Sequence, residues 1–347
     1  MNNFVITPSR LIIARQRLGM TLVDLAAASG ISRRSLSYYE KGGASISRDS
    51  LQRLSVTLDV PESFFYRGDI EVIPVEAVSF RKLSKASARQ RNMVLAEATL
   101  GVEFYELLSQ NFLLPSSNIP TFDKVDPELA ADMVRKRWGL SDRPISNMMH
   151  LIESKGVRVL SLNPSAKDID AFCLTRDDTS YMFMNTSKTG ERQRFDIAHE
   201  LGHLVLHGGS DMSPADSRER EQQANKFASE FLMPRSRILA QQLDNPTLER
   251  IFAAKRYWKV SALAMTHRLH AIGLLTDARY RACCIELADK GFRFDEPDGI
   301  VHESSSLLKQ TIYGRGKRVS FADAGQALSL HMHEVKTYAA GLVPMLA

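Results

Sequence analysis

FDIAHELGHLVLHG, Phe195 to Gly208, is the stretch that decides how the larger part of the chain is read. Its apolar residues Ile197, Ala198, Leu201, Leu204 and Val205 recur at helical spacing, so it predicts a helix sunk in a core. His199 and His203 stand four apart. That spacing puts both rings on one face of the helix, close enough to share one metal ion. Glu200 lies beside them, placed to take a proton from water at the metal. A catalytic zinc site needs a third protein ligand and an open position. His207 continues the same face at i+8 but lies far along the helix. The acids of the following helix, Glu219 and Glu221, are better placed. Glu221 shares a face with Ala224, Asn225 and Ala228, whose small side chains let that helix press close to the first. His207 then reads as a residue that supports the ligands from behind or ends the helix, and Asn225 as another support.

The sequence around this helix is mixed. PELAADMVRKRWGL and SNMMHLIESKG predict helices and VRVLSL a strand. DAFCLT and SYMFMN alternate as two more short strands. The strand Tyr181–Met184 immediately precedes the metal helix and is expected to pair with an extended substrate. LERIFAAKRYWKV and SALAMTHRLHAIGLL predict a pair of helices, and RACCIEL reads as an apolar, strand-like run burying Cys283 and Cys284. The histidine pairs His267/His270 and His331/His333 have no third ligand nearby and read as surface or core residues. FRFDEPDG, Phe292–Gly299, carries a turn-rich acidic end with no assignable chemistry.

The opening of the chain has a different character. In TLVDLAAASGISRRSLSYYEKG, Thr21 caps a helix with Asp24 three positions on, and Gly30 ends it. Ser32 caps a second helix, which Gly42 and Gly43 stop. Two helices joined by a tight turn form a helix-turn-helix, whose second helix presents its N-terminal residues to the major groove. Ile31, Leu36 and Tyr39 anchor the inner side. Thr21, Ser32, Arg33, Arg34, Ser37 and Tyr38 are the candidate DNA contacts, the two arginines bridging guanine edges or phosphates.

Composition agrees with two functional halves. The 347 residues carry a formal charge of +5, and residues 1–68 hold nine bases against five acids, so most of the excess lies in the DNA-reading segment. Three cysteines without a Cys-x-x-Cys read as reduced thiols. The first residues lack an apolar signal core and no run is long enough to span a bilayer, so no membrane partner is expected and the cytoplasm is the expected compartment. The fold class expected is multidomain, mainly α with α+β. An all-α helix-turn-helix domain spans 1–68, a helical spacer and linker 69–126, a zinc-site domain with a small sheet 127–275, and a mixed extension 276–347.

Two resemblances carry further expectations. L-A-x-x-x-G-I-S with the Y-Y-E-K-G exit resembles the XRE (Cro/C1-type repressor) family over about sixty residues, which implies a homodimer reading two half-sites of a double-stranded operator. RFDIAHELGHLVLH followed by EQQANKFASEFLMP resembles the ImmA/IrrE metallopeptidases over roughly residues 127–275. That family is gluzincin-like, so the resemblance implies zinc held by His199, His203 and Glu221, with Glu200 as the catalytic base. Position 209, where metzincins supply a histidine, is Gly209. One departure is Gln223, where many members carry an acid. The combination implies a transcriptional regulator whose zinc endopeptidase cleaves a repressor-type protein: a partner, or this chain's own N-terminal domain cut near Leu114–Asp123. The alternative is an XRE-type repressor or antitoxin whose peptidase-like domain only senses a ligand or partner.

Overall fold

The computed structural model describes residues 3–43, 45–75, 78, 87–163, 166, 169–208, 217–292 and 296–344. Gly209 and three residues of FRFDEPDG lie outside them. The chain forms two compact units. One holds Met1–Leu114, Leu160–Ile169 and Ser306–Ala347, the other Pro115–Val159 and Asp170–Ser305.

The first unit begins with a two-residue strand β1 (Asn3–Phe4), then α1 (Pro8–Arg17), α2 (Leu22–Ser29) and α3 (Arg33–Glu40). Strand β2 (Ile46–Ser47) pairs antiparallel with β1 and leads into α4 (Arg48–Leu58). A 3-10 turn follows at Glu62–Tyr66, then α5 (Ala88–Asn111). The boundaries follow local chemistry. Pro8 opens α1 with its backbone already helical. Thr21 and Asp24 form a complete capping box on α2, and Gly30 ends that helix at φ +67°. Ser32, Ser47 and Ser87 each accept a backbone N–H at the start of α3, α4 and α5. Leu11, Ile13, Ala14, Leu25, Leu36, Leu54, Phe64 and Phe65 are completely buried.

The second unit contains α6 (Pro127–Arg137), α7 (Met148–Ser154) and β3 (Arg158–Ser161), whose last two residues belong to the first unit. Strands β4 (Ala171–Arg176) and β5 (Thr179–Met184) form a hairpin paired from Ala171↔Met184 to Arg176↔Thr179. Its two turn residues, Asp177 and Asp178, have φ +47° and +59°, the backbone a two-residue type I′ turn requires. The sheet order is β3-β5-β4. Then come α8 (Gly190–His207), α9 (Ser217–Leu232), α10 (Arg235–Ala240), α11 (Leu248–Trp258), α12 (Ala262–Ala271) and α13 (Asp277–Asp289). RACCIEL lies inside α13 and is helical, not strand-like. Thr276 caps that helix through Arg279 N, and its buried residues Cys283 and Leu287 recur at i,i+4. The chain ends back in the first unit with α14 (Ser306–Tyr313), α15 (Phe321–Leu328) and α16 (Met332–Thr337).

Two segments without regular structure are tied down by the second unit. In LPSSNIPTFDKVDP, Asn118 N donates to Lys155 O at 2.9 Å and Phe122 N to Val205 O at 2.8 Å. At the other end, Glu296–Ser305 lies along the N-terminal half of α8. A Cβ on Gly190 would sit 2.3 Å from Ile300 O, so only glycine permits that approach. Ile300 N donates to Glu191 (2.9 Å), and Gln193 exchanges two hydrogen bonds with the Glu303 backbone. The Glu303 carboxylate pairs with the fully buried Arg194 and accepts Met148 N (2.7 Å) and Met149 N (3.0 Å) at the start of α7.

Candidate metal centre and nucleic-acid interface

The metal-site helices meet because their facing residues are small. Gly202 of α8 faces Ala224 of α9, and a Cβ there would stand 3.2 Å from Ala224 Cα and 3.1 Å from the Phe227 ring. Ala224, Ala228, Leu201 and Ile197 are fully buried. This contact brings Glu221 of α9 against the two histidines of α8. His203 Nε2 lies 3.1 Å from His199 Nε2 and 3.1 Å from Glu221 Oε1, and His199 Nε2 lies 3.6 Å from Glu221 Oε2. One ligand-type atom from each of His199, His203 and Glu221 falls within 4.8 Å of the others, a set that could hold a metal ion. Two imidazole nitrogens and one carboxylate oxygen match the donor set of a catalytic zinc site.

The electrostatics follow from this crowding. Burial opposes the charged form of Glu221, but hydrogen bonds and charge from His199 and His203 hold its carboxyl well below the usual range. Burial likewise opposes a charge on His199, yet Glu221, Glu200 and Asp196 together raise its pKa. Burial, with help from His203 and Arg220, pushes His207 down to about 4 and so favours its neutral form. His207 packs its ring beside His203, centroids 5.6 Å apart, and is not among the clustered donors.

Asn225, one turn beyond Glu221, holds His199 from behind. Its Oδ1 lies 3.0 Å from His199 Nδ1. With Nδ1–H donating to that oxygen, Nε2 keeps its lone pair for the cluster. Glu200 is buried beside the pair, and its backbone carbonyl accepts a hydrogen bond from Cys173 Sγ of β4 (3.5 Å). Glu219 does not enter the cluster; its carboxylate accepts Gln223 Nε2 at 3.2 Å.

The expectation for Tyr181–Met184 does not hold. That segment is β5, the middle strand of the sheet, with β3 on one side and β4 on the other, so its backbone has no open edge for a substrate. Chain order beside the metal helix suggested it; sheet order, which depends on long-range pairing, excludes it. The end strand that reaches the metal helix is β4. His267 and His270 also form no metal set: His267 Nδ1 bonds Tyr280 Oη and His270 Nε2 bonds Asp277, each at 2.8 Å. Missed in the sequence were Gly202, although a glycine inside a helix signals close approach, and the role of the Glu296–Glu303 strap, of which only the turn-rich acidic end of FRFDEPDG stood out.

In the first unit, the helix-turn-helix stands as its caps predict. Ile31 and Leu36 are buried, while Thr21, Ser32, Arg33, Arg34 and Tyr38 are exposed and Ser37 is half-exposed. Glu40, from the Y-Y-E-K-G exit, clamps α3 to α1 by a two-pronged pair with Arg15 (2.7 and 3.2 Å). The Tyr38 ring lies over Gly43, where a Cβ would stand 2.8 Å away.

Fold and site together describe a DNA-reading helical domain joined to a domain with a metallopeptidase-type His-Glu-His helix. Residues 11–65 match the Helix-turn-helix family, and residues 152–270 match the IrrE N-terminal-like domain of the M78 peptidases. The chain is therefore a fusion of an XRE-type helix-turn-helix domain with an ImmA/IrrE-type peptidase domain. A search of curated proteins finds no match to it. Among the described residues, no helix is long and apolar enough to cross a membrane.

Proposed function

We propose that the protein is a cytoplasmic, DNA-binding transcriptional regulator with a zinc-dependent endopeptidase that cleaves a repressor-type protein and so relieves repression. The observation that carries this reading is the convergence of His199, His203 and Glu221 within 4.8 Å, across two helices pressed together at Gly202. These three residues are the zinc ligands. Bound zinc supplies a Lewis acid for the scissile carbonyl and lowers the pKa of a water. Glu200 takes the proton from the attacking water and delivers it to the leaving amine. Asn225 fixes the His199 tautomer, and the outer edge of β4 offers its backbone to an extended substrate.

The other half is a homodimer-forming operator reader. Arg33 and Arg34 address bases or phosphates of double-stranded DNA, Ser37 and Tyr38 border them, and Thr21 and Ser32 lie at helix N-termini that favour phosphate. The test compares wild type with Glu200→Gln for zinc content and for cleavage of a purified XRE-type repressor. Stoichiometric zinc in both and cleavage by wild type alone are expected. Wild type that takes up no zinc, or Glu200→Gln that cleaves equally well, overturns the reading.

A further inference from the structure

Beside the metal cluster, wholly within the second unit, lies a cavity of about 700 Å³. Its size is that of a pocket for a small molecule or a few side chains. None of His199, His203 and Glu221 lines it, but Asn225 does, and Asn225 bonds His199 directly. Phe195, one turn before His199 on α8, also faces it. The cavity thus adjoins the metal cluster along the N-terminal half of the metal helix.

The charged groups in its wall are already answered within the protein. Asp170 pairs with Lys188 (3.1 Å) and Arg192 (3.0 Å). Glu191 and Glu296 face the buried Lys255 at 3.5 and 3.6 Å and also accept Ile300 N and Ala262 N. His267 bonds Tyr280, and Ser261 caps α12. Apart from neutral groups such as the Ser229 hydroxyl and the Asn225 amide, what the wall still offers is apolar surface: Phe195, Leu263 and Phe292 are each only half-buried there. Phe292 and Glu296 come from the segment after α13, beyond residue 270 where the family match ends, so the cavity is completed by residues outside the matched domain.

We propose that this cavity is the specificity subsite of the peptidase and takes a bulky apolar side chain, aromatic or leucine-sized, from a substrate residue near the scissile bond. The assignment of a peptide as occupant rests on the endopeptidase reading above. Burying such a side chain against Phe195, Leu263 and Phe292 is favourable, whereas a lysine or glutamate would meet no unpaired charge to offset its desolvation.

The experiment titrates the full-length, zinc-treated Glu200→Gln protein with blocked pentapeptides that differ only at a central residue: Phe, Leu, Lys, Glu or Gly. Binding is read by calorimetry, so turnover is not needed. Phe and Leu peptides should bind at least tenfold more tightly than the other three. Ala264→Phe, which fills the cavity, and Phe292→Ala, which removes part of its wall, should each erase that preference with zinc content unchanged. Thermal melts check folding, and should Phe292→Ala not fold, Ala264→Phe decides. Equal affinities, a preference for charged residues, no binding by any peptide, or a preference that survives Ala264→Phe overturns the proposal. Repeating the series after chelation separates the two readings. An apolar preference in a protein that takes up no zinc defeats the peptidase but supports the cavity; zinc uptake without the preference defeats the cavity alone.

Discussion

Gly202→Ala tests how the metal cluster is built. In an exposed helix this change stabilises by up to about 1 kcal/mol, because alanine restricts the unfolded chain and suits the helix. Here the new Cβ would meet Phe227 Cδ1 at 3.1 Å and Ala224 Cα and O at 3.2 Å, so the neighbours must give by a few tenths of an ångström. The Phe227 ring is fully buried and stacks on Phe231 at 5.5 Å, and the Ala224 atoms are backbone, so neither can turn aside cheaply. Overpacking of this kind costs about 1–3 kcal/mol, which exceeds the propensity gain. Relief comes by moving α9 away from α8, and α9 carries Glu221 one turn before Ala224. The carboxylate then retreats from His199 and His203. The expected result is a net loss of roughly 1 kcal/mol in stability and a loss of roughly tenfold in zinc affinity, measured by thermal melts and competitive zinc titration. A higher melting temperature with unchanged zinc affinity would refute the claim that this contact sets the ligand distances.

Other perturbations separate the remaining parts. Arg33→Ala with Arg34→Ala should abolish operator binding in a gel-shift assay while leaving zinc content unchanged; retained sequence-specific binding would sink the assignment of α3. Glu303→Ala removes the partner of the buried Arg194 and the acceptor for Met148 N and Met149 N, which should destabilise the peptidase unit by about 3–5 kcal/mol. A melting temperature within a degree of wild type would show that the strap is not a support of α8. Glu97, on α5, has its carboxyl pushed up to about 8, by burial and then by Glu334, with Arg17 and Asn163 opposing. The folded state therefore holds a proton there that the unfolded state has released, so stability falls as pH rises from about 4.5 to 8 and levels off above. Glu97→Gln should flatten that slope in denaturant titrations, by on the order of a few kcal/mol; an unchanged slope refutes the account.

What the sequence shows is what local chemistry determines. The helix-turn-helix was legible because its caps, its left-handed Gly30 and its basic exposed edge lie within about twenty consecutive residues. His199 and His203 were legible because helical period alone puts them on one face. Glu221 was harder: Glu219 is also an acid on the same helix, and only the facing of Ala224 and the likeness to ImmA/IrrE peptidases favoured the later residue. Sheet order was not legible, since β5 becomes the middle strand only through pairing with β3, from beyond the hairpin. A short apolar run such as RACCIEL has no period of its own, and the cap at Thr276 made it helical. Glu303 of the strap gave no signal because it acquires its role only by meeting Arg194, 109 positions earlier.

The route of the chain bears on which protein the peptidase would cut. A cut in its own Leu114–Asp123 segment would release the DNA-reading domain only if nothing else held residues 1–114. Yet the first unit also contains residues 160–169 and 306–347, which follow that segment in sequence. Arg17 of α1 is buried against Glu334 of α16 at 2.7 Å, His333 bonds Asp59 at 2.9 Å, and Arg67 donates to Ala327 O. Release would have to break all three contacts, including the Arg17–Glu334 pair, in which the arginine side chain is only 3% exposed. A site for a sequence-specific protease placed at Leu113–Asn118 should therefore give two fragments that still elute together and still bind DNA. Elution of the N-terminal fragment by itself would refute this and restore self-cleavage as a means of release. With the fragments held together, cleavage of the linker should change little at the operator, so the function proposed above calls for a separate repressor-type protein as substrate.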